Sequence, residues 1–199
     1  MNIIKKNIPE NHYKKGRGEY RPEIIVIHVV EGLQNQAYLE FINTEKSSHY
    51  CVSYQGEIWK FVEESDTAFT QGIVDRPTSK IFLEHRRNNP TFNANAISVS
   101  IEHEGFGHED FTSEQYETTA RLVKELSERW KIPLDRDHII RHSEINKGKT
   151  CPGVASVEKI IEIAKRFNSV DSPETLKKKI SILERLVGLY QILINLLKK

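Results

Sequence analysis

Two hydrophobic runs along the chain have patterns that predict strands. The run Pro22–Val30 is dominated by β-branched residues, which predicts a strand buried on both faces in the middle of a covered sheet. In Ile97–His103, isoleucine and valine alternate with Ser98, Ser100 and Glu102. This alternation predicts a half-buried strand whose polar face, with Glu102, points away from the core.

Further segments predict the rest of a mixed α/β fold. Residues 49–53 and 57–62 flank a turn and predict a hairpin, and residues 138–142 predict another short strand. Helical spacing predicts helices over 34–43, 112–130 and 156–167, whereas the polar segment 72–95 is expected to be a long loop. We therefore predict a catalytic domain over residues 1–170, with a mixed central β-sheet flanked by helices.

Residues 171–199 are predicted to form a separate C-terminal amphipathic helix. One apolar stripe has the four-three spacing of a coiled coil, and a second stripe widens the apolar face beyond half of the circumference. Self-association through residues 174–199, packing on the catalytic domain and envelope binding all remain open. The first stripe consists of Leu176, Ile180, Leu183, Val187, Tyr190, Ile194 and Leu197, and the second of Ile182, Leu186, Leu189, Leu193 and Leu196.

Composition and charge exclude several classes of protein. The formal net charge of +1 gives no overall field for nucleic acid, although six Lys or Arg against two acids make residues 174–199 basic. No stretch has the length and apolarity of a membrane-spanning helix, so we expect no transmembrane segment. Two cysteines are too few for a disulfide framework, and the first residues do not resemble a signal peptide. Synthesis and retention in a reducing cytoplasm are expected.

Three residues have the chemistry of a metal site. His28 lies in the buried run Pro22–Val30 and needs a partner, because an unpaired buried imidazole costs about 1–3 kcal/mol. It is either a hydrogen-bonded core histidine or a metal ligand together with His142 and Cys151. Two imidazoles and a thiolate suit Zn²⁺ and leave a fourth position for water, as in catalytic zinc sites. Spacing alone leaves both interpretations open.

Four segments resemble the zinc-dependent N-acetylmuramoyl-L-alanine amidases, a family that includes phage endolysins, bacterial autolysins and peptidoglycan-recognition proteins. The resemblance covers about residues 20–168 and implies a mixed sheet with Zn²⁺ at the floor of a groove for glycan and peptide. The segments are IVIHVVEG (25–32), SSHYCVSYQGEIWKFVEESDTAF (47–69), NANAISVSIEHEG (93–105) and HIIRHSEINKGKTCPG (138–153).

The resemblance also implies a role for individual residues. His28, His142 and Cys151 match the zinc ligands, with Cys151 at a position where some relatives have aspartate. Glu102 matches the acid that acts as general base and returns its proton to the departing L-alanine nitrogen. Lys149 matches a basic residue that stabilises the tetrahedral oxyanion.

Three departures from the family pattern modify these expectations. Ser48 stands where some relatives have a catalytic tyrosine, which favours the mechanism based on Glu102. His49 is expected to pack or hydrogen-bond beneath the site rather than to ligate zinc. The turn Ala68–Gly72 lacks a histidine that many members have, so its role in contacting substrate or supporting the site is left open.

The resemblance therefore predicts a zinc amidase that hydrolyses the bond between N-acetylmuramic acid and L-alanine of peptidoglycan. A phage or prophage endolysin is the expected setting, acting on the bacterial cell wall after release from the cytoplasm. The alternatives are a non-catalytic peptidoglycan-binding module and an intracellular amidase that recycles muropeptides.

Overall fold

The structure is a computed structural model that describes residues 2–167 and 173–197. The chain divides into two compact units, residues 1–165 and 166–199. The strands in chain order are β1 (Ile3–Lys5), β2 (Tyr13–Lys14), β3 (Ile24–Ile27), β4 (Tyr50–Val52), β5 (Ile58–Lys60), β6 (Thr67–Ala68), β7 (Ser98–His103) and β8 (Ile139–Arg141). The α-helices are α1 (Gln34–Asn43), α2 (Lys80–Asn88), α3 (Ser113–Trp130), α4 (Val157–Arg166) and α5 (Pro173–Leu197).

The first unit is built around a mixed sheet, as predicted, and this sheet has six strands. Their order is β1-β5-β4-β7-β3-β8, and β2 pairs with β6 in a separate short ribbon. Only the predicted hairpin β4–β5 is antiparallel in the six-stranded sheet, whereas the other four pairs are parallel. The strands β3, β7 and β8 therefore end at the same edge of the sheet.

Strand β3 lies in the interior of the sheet, between β7 and β8. Its four residues are completely buried, which confirms the prediction from its continuous apolar run. Ile24 and Val26 belong to a core cluster that also includes Phe82 of α2 and Phe92. This packing fixes the strand that leads directly into His28.

Strand β7 differs from the prediction of a half-buried strand. Ser98 and Ser100 are each only 1% exposed, so both faces of most of the strand are covered. Gln71 covers the polar face, and its Nε2 donates to Ser98 Oγ at 3.2 Å and to Ser100 Oγ at 2.9 Å. Alternation distinguished the two faces correctly, but it could not show that hydrogen-bonded polar groups bury the second face.

The expected loop 72–95 is also wrong in part, because it contains helix α2. The helix begins after Ser79, whose hydroxyl accepts a hydrogen bond from the Phe82 backbone N–H. Its apolar residues, Ile81–Leu83, are consecutive and do not recur one turn later, so the sequence lacks the spacing that predicts a helix. Only Phe82 of this helix is buried. Strand β1, in the N-terminal segment before the first predicted element, pairs in parallel with β5.

Helix α5 forms most of the second unit and extends over 25 residues. The described members of its first apolar stripe include Ile180, Leu183, Val187 and Tyr190, whose exposed fractions lie between 49% and 68%. Within residues 2–167 and 173–197, no helix is both long and apolar enough to cross a membrane. The predicted domain boundary at 170/171 and the terminal residues Lys198 and Lys199 lie outside the described residues.

Candidate active site

The strand register brings three predicted site residues together at one edge of the sheet. Ile27 at the end of β3 pairs with Ile101 on β7 and with Arg141 on β8. The next residue on each of these parallel strands is His28, Glu102 and His142, respectively. Parallel strands place their carboxyl ends side by side, so residues far apart in the chain meet at this edge.

Cys151 completes a group of three potential metal ligands. The side chains of His28, His142 and Cys151 each offer one ligand atom, and these atoms all lie within 4.8 Å of one another. Cys151 is reached by the loop after β8, and its Sγ accepts a hydrogen bond from the Val29 backbone N–H at 3.1 Å. The backbone next to His28 therefore orients the side chain of Cys151.

The hydrogen bonds of the two imidazoles fit a metal ion. His28 Nε2 is buried and has no hydrogen-bond partner among the described residues, which is costly unless the nitrogen binds a ligand. His142 Nε2 lies 3.1 Å from the Gln71 carbonyl oxygen, which leaves Nδ1 as the ring nitrogen that can ligate. Burial lowers the pKa of both histidines, so both are neutral, the form that binds metals.

The third donor, Cys151, needs a nearby cation to act as a thiolate. Burial raises the pKa of this thiol well above its ordinary value. A divalent ion opposes this shift, because a coordinated thiol is deprotonated. Two neutral imidazoles and one thiolate form a donor set that Zn²⁺ favours, and three protein ligands leave one coordination position open.

Glu102 lies beside the cluster, with its Oε1 3.9 Å from Nδ1 of His28. Its side chain is 12% exposed, so the carboxyl group remains accessible from the site. Burial, followed by repulsion from Glu40, raises the pKa of Glu102 to about 8. A carboxyl group whose pKa lies near neutrality can both accept and return a proton.

The cluster opens into a groove of about 740 Å³. Glu102, His28, His142 and Cys151 all line it, as does Lys149 from the loop that precedes Cys151. Lys149 is exposed, so its ammonium group is free to move towards a bound substrate. The structure thus brings all five predicted site residues into one groove.

Gln71 supports the site in a way that the sequence left open. Its carbonyl oxygen contacts His142 Nε2, and its side chain is held by the two serines of β7. The carboxamide Oδ1 of Asn95 also accepts hydrogen bonds from the backbone N–H groups of Thr70 and Gln71. The turn Ala68–Gly72 therefore positions a candidate ligand through its backbone, although it lacks the family's histidine.

Arg17 is a second supporting residue, which the sequence pattern did not indicate. Arg17 is 6% exposed and donates hydrogen bonds to the carbonyl oxygens of Glu64, Asn95, Ala96 and Ser98. Its Nη2 also lies 2.9 Å from Nε2 of His49. The only sequence signal was its place between Gly16 and Gly18, which indicates a turn but not a buried guanidinium group.

His49 behaves as the sequence predicted, and Cys51 lies outside the ligand cluster. His49 is completely buried, and its Nδ1 accepts a hydrogen bond from the Ser100 backbone N–H at 3.1 Å. It therefore braces β7 beneath the site and is not part of the ligand cluster. Cys51 is a free, fully buried thiol in a hydrophobic cluster with Trp59 and Phe61.

Gly153 allows the Cys151 loop to approach a neighbouring loop closely. Its φ is 71°, and a Cβ at this position would overlap the backbone of Gly107. We expect Gly153→Ala to lose about 1–2 kcal/mol of unfolding free energy through backbone strain and about 1–3 kcal/mol more through the overlap. Urea denaturation measures this loss.

Gly16→Ala is the matched control for this substitution. Its φ is 70°, but a Cβ there would meet nothing within 4 Å. We expect it to lose only the strain contribution. Equal losses in the two variants would show that the contact between Gly153 and Gly107 does not constrain the loop.

Comparison with known proteins identifies the family. The N-acetylmuramoyl-L-alanine amidase family, Amidase_2, matches residues 18–154. The chain belongs to this family and is an enzyme of the N-acetylmuramoyl-L-alanine amidase class, with peptidoglycan as its substrate. No curated protein matches the chain at a significant level.

Several solved structures share the fold of this chain. N-acetylmuramoyl-L-alanine amidase LysC from Clostridium intestinale has 18% identity and a TM-score of 0.57, with 80% of this chain and 95% of that chain covered. An AmpD derivative has 19% identity and a TM-score of 0.62, with 79% and 93% covered. A mutant endolysin from Bacillus subtilis has 22% identity and a TM-score of 0.55, with 76% and 90% covered. At these identities the likeness establishes the fold alone.

Proposed function

We propose that this chain is a zinc-dependent amidase that cleaves between N-acetylmuramic acid and L-alanine and acts as an endolysin. The observation that supports zinc dependence most directly is the cluster of His28, His142 and Cys151, with an unpartnered buried nitrogen on His28. Bound there, Zn²⁺ supplies Lewis-acid polarisation of the amide carbonyl and lowers the pKa of a water molecule.

Glu102 moves the proton in this proposal. Its carboxylate takes up a proton from the attacking water and later returns it to the nitrogen of the departing L-alanine, so the group is regenerated in each cycle. Its position beside His28 and its access to the groove support this role. Gln71 holds His142 in orientation through the contact between its carbonyl oxygen and Nε2.

Lys149 is proposed to stabilise the negative charge that develops on the carbonyl oxygen of the substrate. It lines the groove from the loop between His142 and Cys151. Its positive charge acts to lower the pKa of both of these candidate ligands. We expect Lys149→Met to retain the metal and to lower turnover by about 10²-fold. Steady-state kinetics on a soluble muropeptide test this, with Lys147→Met on the same loop as the control.

Metal analysis combined with mass spectrometry of digested peptidoglycan tests the proposed function. We expect about one zinc ion per chain and products with a free L-alanine amino terminus. A metal-free protein with full activity would contradict zinc dependence. Products cut between sugars or within the peptide stem would contradict the proposed bond.

An intracellular amidase that recycles soluble muropeptides is the second candidate. The solved structures of similar fold include AmpD as well as endolysins, so the fold does not separate the two settings. The relative rates on intact cell walls and on soluble muropeptides do separate them. A preference for intact walls supports the endolysin, whereas activity confined to soluble fragments supports recycling.

We also propose that helix α5 self-associates as an appendage separate from a catalytic domain over residues 1–170. The four-three spacing of its apolar residues suits a second copy of the same helix, and Ile180, Leu183, Val187 and Tyr190 of this stripe are exposed. Pairing of two such stripes removes their apolar surface from water. The catalytic residues proposed above all precede this helix in the chain.

Truncation after Ser172 tests the appendage. We expect full-length protein to be an oligomer and the truncated protein to be a monomer that binds zinc and cleaves soluble muropeptides. The truncated protein should lose more activity in lysis of cells than in cleavage of soluble fragments. A monomer engages the polymeric wall through a single catalytic domain and so lacks the avidity of an oligomer. Light scattering measures the oligomeric state.

A point substitution tests self-association in the full chain. Leu183→Glu places a charge in the apolar stripe, whereas Ser181→Glu, off the stripe, is the matched control. We expect only Leu183→Glu to dissociate the oligomer. A monomeric wild type contradicts self-association, and an aggregating truncated protein indicates that the helix covers its own catalytic domain.

A further inference from the structure

Three cavities of the first unit are neighbours, because adjacent cavities share lining residues. The catalytic groove shares Phe69 with a second cavity of about 430 Å³, which we call the distal pocket. The distal pocket in turn shares Glu19, Tyr20 and Asn89 with a third cavity of about 440 Å³. A row of adjacent cavities fits a ligand with repeating units better than it fits one small molecule.

The lining of the distal pocket combines aromatic rings with neutral polar groups, and Lys14, Arg17 and Glu19 add charged ones. Tyr20, Phe69 and Phe92 contribute the rings, and Thr91 and Asn93 contribute a hydroxyl and a carboxamide. Sugars have the complementary chemistry, because they present apolar ring faces and hydroxyl edges. Ligand sites of this kind are concave, with a few fixed polar groups that give orientation.

Asn95 provides a fixed donor in the distal pocket. Its Oδ1 accepts hydrogen bonds from the backbone N–H groups of Thr70 at 3.2 Å and Gln71 at 2.9 Å. These two bonds fix the orientation of the carboxamide, and Nδ2 then has no partner among the described residues. Asn95 is 7% exposed and lines the pocket, so the free N–H group points to a ligand acceptor.

We propose that the distal pocket binds a sugar of the peptidoglycan glycan strand while the catalytic groove holds the muramoyl peptide bond to be cut. This inference rests on the proposed function, since it takes the polymeric wall as the substrate. The shared lining residue Phe69 places the pocket next to the catalytic groove, and the Asn95 N–H group donates to a hydroxyl or acetamido oxygen of the sugar. A soluble muropeptide with one sugar does not extend into this pocket.

Two substitutions test the pocket in the full-length protein. Thr91→Trp fills it from an exposed position, and Asn95→Asp keeps the acceptor for Thr70 and Gln71 but removes the donor. Ser113→Trp is the matched control, because it adds the same ring at an exposed position that lines none of the three cavities. If Asn95→Asp fails to fold, Thr91→Trp still decides the question.

The probe is a purified glycan strand stripped of its stem peptides, which an amidase cannot cleave. Calorimetry should show binding to wild type and to Ser113→Trp, with affinity about tenfold weaker in Thr91→Trp and Asn95→Asp, the effect of losing about one good contact. The ratio of wall cleavage to muropeptide cleavage should fall by a similar factor. Unchanged affinity in both variants, or no binding to wild type, overturns the proposal.

A different result would contradict the proposed function without bearing on the distal pocket. In that case wild type cleaves neither intact walls nor soluble muropeptides. Binding of the stripped glycan strand does not require cleavage, so it still reports on the distal pocket.

Discussion

Cys151→Ala is expected to purify without zinc and to have no detectable amidase activity, whereas wild type holds about one zinc ion per chain. The substitution removes the anionic donor of the proposed site, and the two remaining imidazoles bind the ion far more weakly. Elemental analysis by mass spectrometry and release of peptides from purified walls measure both effects.

Cys51→Ala is the matched control for this result. Cys51 is also a free thiol, but it lies in a hydrophobic cluster and outside the ligand group. We expect it to keep zinc and activity. Thiol counting in denaturant should find two free thiols in wild type. Full zinc content in Cys151→Ala would contradict the proposed ligand set.

Glu102→Gln is expected to keep zinc and fold but to lower turnover by about 10²-fold or more, the usual contribution of a general base. Glutamine preserves the size of the side chain and cannot take up a proton from water. Turnover of a soluble muropeptide measures the loss, and zinc analysis together with circular dichroism shows that the site and fold persist.

Glu40→Gln is the control for the Glu102 substitution. Glu40 also lines the groove and is close enough to raise the pKa of Glu102, but it forms an exposed ion pair with Lys46. We expect its turnover to stay within a few-fold of wild type. Near-normal turnover in Glu102→Gln would place the base elsewhere.

The site residues could be predicted from the sequence because they follow strands with strong local signals. The apolar run before His28 and the alternation before Glu102 identify two strand ends, and the motif from His138 to Gly153 provides His142 and Cys151. That these ends are adjacent depends on strand order and on parallel pairing, which local patterns do not encode. The resemblance implied only a mixed sheet and a shared zinc site.

The supporting residues could not be predicted for a physical reason. Gln71, Asn95 and Arg17 act mainly through hydrogen bonds with backbone groups of distant segments. Such contacts leave no periodic pattern, and a buried polar residue looks like a surface residue in the sequence until its partners are known. Helix α2 was missed for a related reason, since tertiary packing of Phe82 outweighs its weak local signal.

The hydrogen bond between Val29 and Cys151 joins positions separated by 122 residues, so it links the segment after β3 to the loop after β8. An ion held by His28, His142 and Cys151 would act as a removable cross-link between the end of β3 and the loop that follows β8. Such a link stabilises the folded state according to the free concentration of the ion, because only the folded chain presents the three donors together. Chelation should therefore lower the melting temperature as well as stop catalysis, and zinc should restore both.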